Sequence, residues 1–250
     1  MTRYAALPLL SAGLTAITLS IAPSPLHAQS AERPRMSVMP TEDFEVTGKG
    51  DNPAWKNASW ISLRKRQADG HPYETRLRML YSSTGLYIHM DATDAKLTAT
   101  MDEDFMDLWN EDIFEVFLWT DERHPIYFEY QISPLNRELA ILVPNFGGEF
   151  LGWRPWHYEG DRLTRRAVTV SGGPQQSHAA ITGWNAEVFI PYALLRPLQN
   201  VPPTPGTRWR GNFYRMDYDD GRRTQWEWSP VGTGTFHQFE KFGDIVFEGR

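Results

Sequence analysis

Ten short runs in which apolar and polar residues alternate, separated by turn residues, constrain this chain to an all-β fold. They cover 75–81, 86–91, 113–119, 126–133, 138–143, 163–170, 184–190, 210–217, 225–229 and 244–247. Between them stand Ser82-Ser83-Thr84-Gly85, Asn145-Phe146-Gly147-Gly148, Gly172-Gly173-Pro174 and Asp219-Asp220-Gly221, which tolerate unusual backbone angles. This rhythm predicts an antiparallel two-sheet β-sandwich of jelly-roll or immunoglobulin-like type. Helix is scarce. Tyr192-Ala193-Leu194-Leu195 follows Pro191, which suits a first helical position, and Pro197 stops it. The proline-rich stretch 201–206 has an ordinary loop length, so it reads as a stiff connection within one domain.

Residues 1–28 have the parts of a secretory signal peptide: Arg3, an apolar and small-residue run from Ala5 to Ala22, then Pro23-Ser24-Pro25-Leu26-His27-Ala28. Cleavage is expected after Ala28, leaving a flexible segment over 29–40 and one domain over 41–250. This predicts a secreted or periplasmic protein with no membrane association once the signal is removed. Loss of Arg3 leaves 24 basic against 31 acidic residues, a net charge of −7 that disfavours nucleic acid as a partner. The chain has no cysteine, which excludes disulfides, thiolate metal sites and covalent haem attachment. Core burial or bound ions must therefore hold the fold together, and 222 residues can bury roughly 70% of their unfolded surface.

The segment 108–118, Leu-Trp-Asn-Glu-Asp-Ile-Phe-Glu-Val-Phe-Leu, puts a tryptophan and several carboxylates at the mouth of a strand. An indole offers a flat apolar surface to the C–H face of a pyranose, and carboxylates accept hydrogen bonds from its hydroxyls. Alternation sends Phe114, Val116 and Leu118 to one face, taken as core, and Ile113, Glu115 and Phe117 to the other. Trp55, Trp60, Trp119, Trp184 and Trp209 stand in apolar or strand-like sequence and read as core. Trp153 and Trp156 stand in a loop, where they either extend a binding platform or cover an open end of the core.

Taken in order, several stretches resemble the family 9 carbohydrate-binding modules over most of the mature chain. They are Asn52-Pro53-Ala54-Trp55, Gly85-Leu86-Tyr87-Ile88-His89-Met90-Asp91, Trp109 through Phe117, Tyr127 through Ser133 and Gly183 through Pro191, then Gly206 to Asp217, Trp226-Glu227-Trp228 and Phe242-Gly243-Asp244-Ile245. The resemblance implies a non-catalytic β-sandwich that grips an oligo- or polysaccharide, of glucan or xylan type, between two tryptophans. It further implies bound calcium as a structural ion, no organic cofactor, and a role in carbohydrate catabolism alongside separate hydrolases. By the same resemblance, Trp109 is the first tryptophan and Glu115 the polar residue following it on the strand. Asn136 and Arg137 fall near the polar positions of the next hairpin. Trp226 or Trp228 supplies the second ring, with Trp228 favoured.

The acidic cluster around Asp102, Asp104, Asp107 and Asp112 suits a hard cation that needs several oxygen ligands, and Asp91 and Asp94 stand ready to add to it. Its spacing is not that of an EF-hand loop, and a solvated acidic loop is the plainer use of it. Besides an interaction module that turns its aromatic face to protein, two other functions stay open. One is a b-type haem-binding electron-transfer protein using His89 with Met90, Met101, Met106 or Met216 as axial ligands. The other is a glycoside hydrolase pairing Glu115 with Glu187 or Asp217.

Overall fold

The structure is a computed structural model, described here for residues 33–250 except 147–148, 151–153, 156–157, 197, 233 and 250. The expected signal peptide, Trp153 and Trp156 lie outside the described residues. The regular structure of the described residues is almost all β-strand. It opens with β1 (Arg35–Pro40), β2 (Ile61–Ser62), β3 (Arg64–Lys65), β4 (Thr75–Tyr81) and β5 (Gly85–Thr93). β6 (Ile113–Trp119), β7 (Ile126–Ile132) and β8 (Glu138–Phe146) follow, with the short β9 (Glu149–Phe150) and β10 (Arg154–Pro155). β11 (Arg165–Ser171) and β12 (Gly183–Pro191) lead into the single-turn helix α1 (Tyr192–Leu195). β13 (Arg208–Asp217), β14 (Thr224–Glu227) and β15 (Gly243–Phe247) complete the chain.

The strands run in the order β10-β8-β7-β6-β13-β15-β1-β4-β5-β12-β11. Neighbours are antiparallel except around β1, which is parallel to both β15 and β4. The all-β expectation therefore holds, while strict antiparallel pairing is corrected to a mixed sheet. β1 changes neighbour midway: Arg35 to Val38 pair with Asp244 to Phe247, then Met39 and Pro40 pair with Leu80 and Tyr81. Because Pro40 has no N–H, it is the Thr41 N–H that donates onward to Tyr81. The segment 29–40, expected to be flexible, thus carries the strand that joins the two halves of the sheet. Met36 and Val38 are its buried positions.

One core gathers side chains from β6, β7, β13 and β15 and from β4, β5 and β12. Phe114 of β6 stacks on Trp184 of β12 with ring centroids 3.8 Å apart. As read from alternation, Phe114, Val116 and Leu118 all face this core. Trp55, Trp184 and Trp209 are buried, as expected. Trp60 is only half-buried, with the guanidinium groups of Arg76 and Arg78 each 4.3 Å from its ring centre. On the opposite face of β6, β7, β8 and β13 lies a second apolar cluster that includes Ile113, Phe117, Trp119, Tyr127, Ile141, Tyr214 and Met216. Val231, Phe236, Phe239 and Phe242, from the segment between β14 and β15, cover part of it. What they leave open is the floor of a cleft.

Candidate functional site

The cleft is built by strand register. Glu115 lies between Ile113 and Phe117 on the face of β6 turned away from the main core, directly opposite Gln131 of β7 and Tyr214 of β13. Glu129 lies two residues before Gln131 and so shares its face. All three polar residues are buried, yet they line an opening of about 970 Å³. Gln131 donates its amide to Glu129 Oε1 at 2.6 Å. Glu115 Oε2, Glu129 Oε2 and Gln131 Oε1 have no donor among the described residues. A buried acceptor without a donor costs about 1–3 kcal/mol, so the floor of the cleft calls for donors from outside the chain.

Trp109 forms part of the wall. It lies in the 3-10 turn Leu108–Asn110 just before β6, anchored by buried Leu108, and its carbonyl accepts from the Tyr218 hydroxyl at 2.7 Å. Other walls come from Arg64, Arg66, Gln225, Glu227 and Phe236. Glu227 is held by Arg64 at 3.2 Å and Arg66 at 3.4 Å and accepts from the Val231 N–H. Phe236 lies flat against Tyr214 at 4.0 Å, with the Arg66 guanidinium 4.8 Å from its ring centre. His237 meets the Tyr127 hydroxyl at 2.6 Å, and burial lowers its pKa to about 4, so the imidazole is neutral.

Burial raises the Glu115 carboxyl well above the ordinary range, and the neighbouring charge of Glu129 raises it further. Burial also raises Glu129, to about 7. Near neutral pH this pair therefore retains a proton in the free cleft. An acid whose pKa is raised by folding binds more protons folded than unfolded, so stability falls as pH rises from the unfolded value towards about 7. Glu129→Gln removes that contribution. Relative to wild type, the variant is expected to gain stability between about pH 5 and pH 7.5, measured by melting temperature in saturating calcium. A constant difference across that window would contradict the raised pKa.

Several expected site residues lie elsewhere. Trp226 and Trp228 are both buried in the main core. The Trp226 indole donates to the Tyr73 carbonyl at 3.0 Å, and Trp228 packs against Phe213. Residues two apart on a strand share a face, so neither tryptophan is the second ring of the cleft; Gln225 and Glu227, one position away, line it instead. Asn136 and Arg137, at the turn between β7 and β8, line other grooves and not this cleft. Sequence reading missed Glu129 and Gln131, although the alternation of Tyr127, Glu129 and Gln131 with Phe128, Tyr130 and Ile132 was a usable signal.

The expected acidic metal set is also corrected. Asp102 and Asp107 are exposed, and Asp104 is taken up by Arg166 at 2.8 Å and by the Glu138 N–H. Asp91 pairs with Arg76 at 2.7 Å. Asp112 and Asp94, the latter read as an added ligand, join a cluster with Asp217 and Asp219, whose oxygens lie within 4.8 Å of one another. All four are buried. Arg215, itself fully buried, bonds Asp94 at 3.0 Å and Asp217 at 2.7 Å. Burial raises Asp94 to about 7 and Asp112 well above the carboxylate range.

Several residues of the rival constellations are engaged elsewhere. His89 and Met90 are adjacent on β5 and so point to opposite faces; His89 bonds Arg78 and Asn185, while Met90 is in the core. Glu187 accepts from the Trp55 indole at 2.6 Å and from the Thr47 and Gly48 N–H groups, and it does not line the cleft. Asp217 belongs to the carboxylate cluster. The carboxyl that Glu115 meets is Glu129.

Among the described residues, no helix is long and apolar enough to cross a membrane. Residues 46–139 match the family model described as carbohydrate family 9 binding domain-like. An "Extracellular protein" of Arthroderma benhamiae is 26% identical over 197 residues, covering 75% of this chain and 85% of that protein. A crystal structure from Bacteroides uniformis, provisionally described as a carbohydrate-binding protein, superposes with a TM-score of 0.70 at 18% identity, over 87% of this chain and all of the other. A family 9 carbohydrate-binding module from Caldicellulosiruptor kristjanssonii, solved with cellotriose, gives a TM-score of 0.61 at 17% identity, over 87% of this chain and 95% of the other. At these identities the structural likeness is one of fold. The family whose model this sequence matches is the one its motifs resemble, the family 9 carbohydrate-binding domains, a non-catalytic binding family.

Proposed function

We propose that this protein is a secreted, non-catalytic binder of carbohydrate whose ligand occupies the cleft between Trp109 and the Glu115–Glu129–Gln131 floor. The observation that carries this reading is the three buried polar oxygens without hydrogen-bond partners among the described residues at the bottom of an open cleft. Sugar hydroxyls are donors of the right size and number, and the indole offers the apolar surface that a pyranose face needs. In this reading Phe236 takes the place once given to Trp226 or Trp228 as the second aromatic of the cleft. The Caldicellulosiruptor module was solved with glucose as well as cellotriose, which supports a glucan-type ligand here. The extracellular relative and the signal-like residues 1–28 support export. Packing of Phe114 on Trp184 supports a sandwich arrangement of the two halves of the sheet. Such a binder would deliver polysaccharide to separate hydrolases.

A calcium ion fits the chemistry of the second cluster. Asp94, Asp112, Asp217 and Asp219 present four buried carboxylates against one buried guanidinium, an excess of negative charge that a divalent cation offsets. Asp112 and Asp219 also flank the cleft-bearing strands β6 and β13, so an ion held there would brace the approach to Trp109 and the floor.

Trp109→Ala tests the cleft. The fold is expected to persist, because the indole is only half-buried, while glucose and cellotriose binding weaken by about thirtyfold or more, as for a contact of hot-spot rank. Binding that survives in the folded variant would remove Trp109 from the site.

A further inference from the structure

We propose that the groove beside the β7–β8 turn is a second ligand site, separate from the cleft, and that it takes a carboxylate-bearing sugar of the uronate type. The turn is tight: the Asn136 N–H donates to the Ser133 carbonyl at 2.9 Å and the Ser133 N–H to Arg137 at 2.9 Å. Asn136 takes a left-handed conformation with φ 60°, which asparagine tolerates better than most residues. Asn136 and Arg137 thereby line a groove of about 650 Å³ together with Leu135, Gln176 and Ser177. Asn136 Oδ1, Arg137 Nε and Ser177 Oγ are buried and have no partner among the described residues.

Charge decides the class of ligand. Arg166, the other cation of the groove, is already bound to Asp104 at 2.8 Å and to Glu138. Arg137 has no carboxylate within ion-pair distance among the described residues, and the acid nearest the groove in the lining, Asp102, is exposed at its rim. A guanidinium left without a counter-charge in a partly buried site matches a carboxylate, which it binds in a two-pronged fork. The free amide and hydroxyl match ring hydroxyls. Among the described residues no aromatic ring lines this groove, so recognition by them is polar, unlike that in the cleft. A neighbouring hollow of about 780 Å³ shares Asn136 and Arg166, giving space for a further ring.

The test is calorimetric titration with trigalacturonate and with its carboxyl-reduced neutral counterpart, on wild type, Trp109→Ala and Arg137→Gln. Trigalacturonate is expected to bind Trp109→Ala as it binds wild type, to weaken at least tenfold in Arg137→Gln, and to weaken as salt rises. The neutral counterpart is expected not to bind Trp109→Ala. The Arg137 side chain has no partner to lose among the described residues, so the melting temperature of Arg137→Gln should match wild type, and Asn136→Gly, which keeps the backbone conformation, should weaken uronate binding in parallel. Absence of uronate binding to wild type, or uronate binding that is lost in Trp109→Ala and intact in Arg137→Gln, would overturn the proposal. Neutral-sugar binding that survives Trp109→Ala would count against the cleft and leave this second site standing.

Discussion

Arg215→Met is expected to destabilise the protein by about 3–5 kcal/mol, the loss typical when one partner of a buried ion pair is removed. The side chain is fully buried and bonds Asp94 at 3.0 Å, Asp217 at 2.7 Å, the Thr93 carbonyl at 2.8 Å and the Thr75 hydroxyl at 3.2 Å. Its guanidinium also lies 4.8 Å from the Trp226 ring centre, against the core. Methionine replaces the aliphatic stem and leaves four clustered carboxylates without a positive charge. Because the lost interaction is electrostatic and local, the midpoint of urea unfolding should drop while its slope stays constant. The loss should be greater in chelator than in calcium, because a bound cation would supply the positive charge that the variant lacks. A loss below about 1 kcal/mol in chelator would show that the guanidinium is not what holds the cluster together.

Chelation of the wild-type protein is the second large effect. An ion bound to the folded state alone, at one hundred times its dissociation constant, contributes about 2.7 kcal/mol. For a domain of this size each kcal/mol moves the melting temperature by about 2–4 °C, so removing calcium should lower it by about 5–11 °C. Asp112→Asn should abolish most of that difference. Asp112 also accepts from the Thr98 and Tyr218 N–H groups, and an asparagine oxygen keeps one of these bonds, so the variant should still fold. Equal melting temperatures for wild type with calcium and with chelator would rule out the ion as a structural element.

Much of the fold was legible because it rests on local alternation. Phe114, Val116 and Leu118 declared the core face of β6, and Glu115 the opposite one, from period-two spacing alone. β1 escaped because six residues with two buried positions, Met36 and Val38, give a weak periodic signal, and because its parallel partners are remote in sequence. The site was half legible. Trp109 and Glu115 are part of one strand and its lead-in, so their proximity is local. Glu129 and Gln131 reach Glu115 only through the β6–β7 register, which no single run of residues displays. Trp226 and Trp228 were drawn to the site by residue type, yet both, on β14 and just beyond its end, are in the core, and the polar residues between and before them are the ones that line the cleft. In the same way the acidic loop drew attention to Asp102, Asp104 and Asp107, while the compact carboxylate cluster combines Asp112 with residues from β13, the turn after it and the end of β5.

The most direct test of the account is calorimetric titration of the folded protein with glucose and cellotriose, repeated on Glu115→Ala. The account predicts saturable binding at one site, weakened about tenfold or more by Glu115→Ala, the scale on which hydrogen bonds to a charged or buried carboxyl contribute. No heat with either glycan from folded wild-type protein, or equal binding by Glu115→Ala, would contradict it and leave the family likeness as a statement about fold alone.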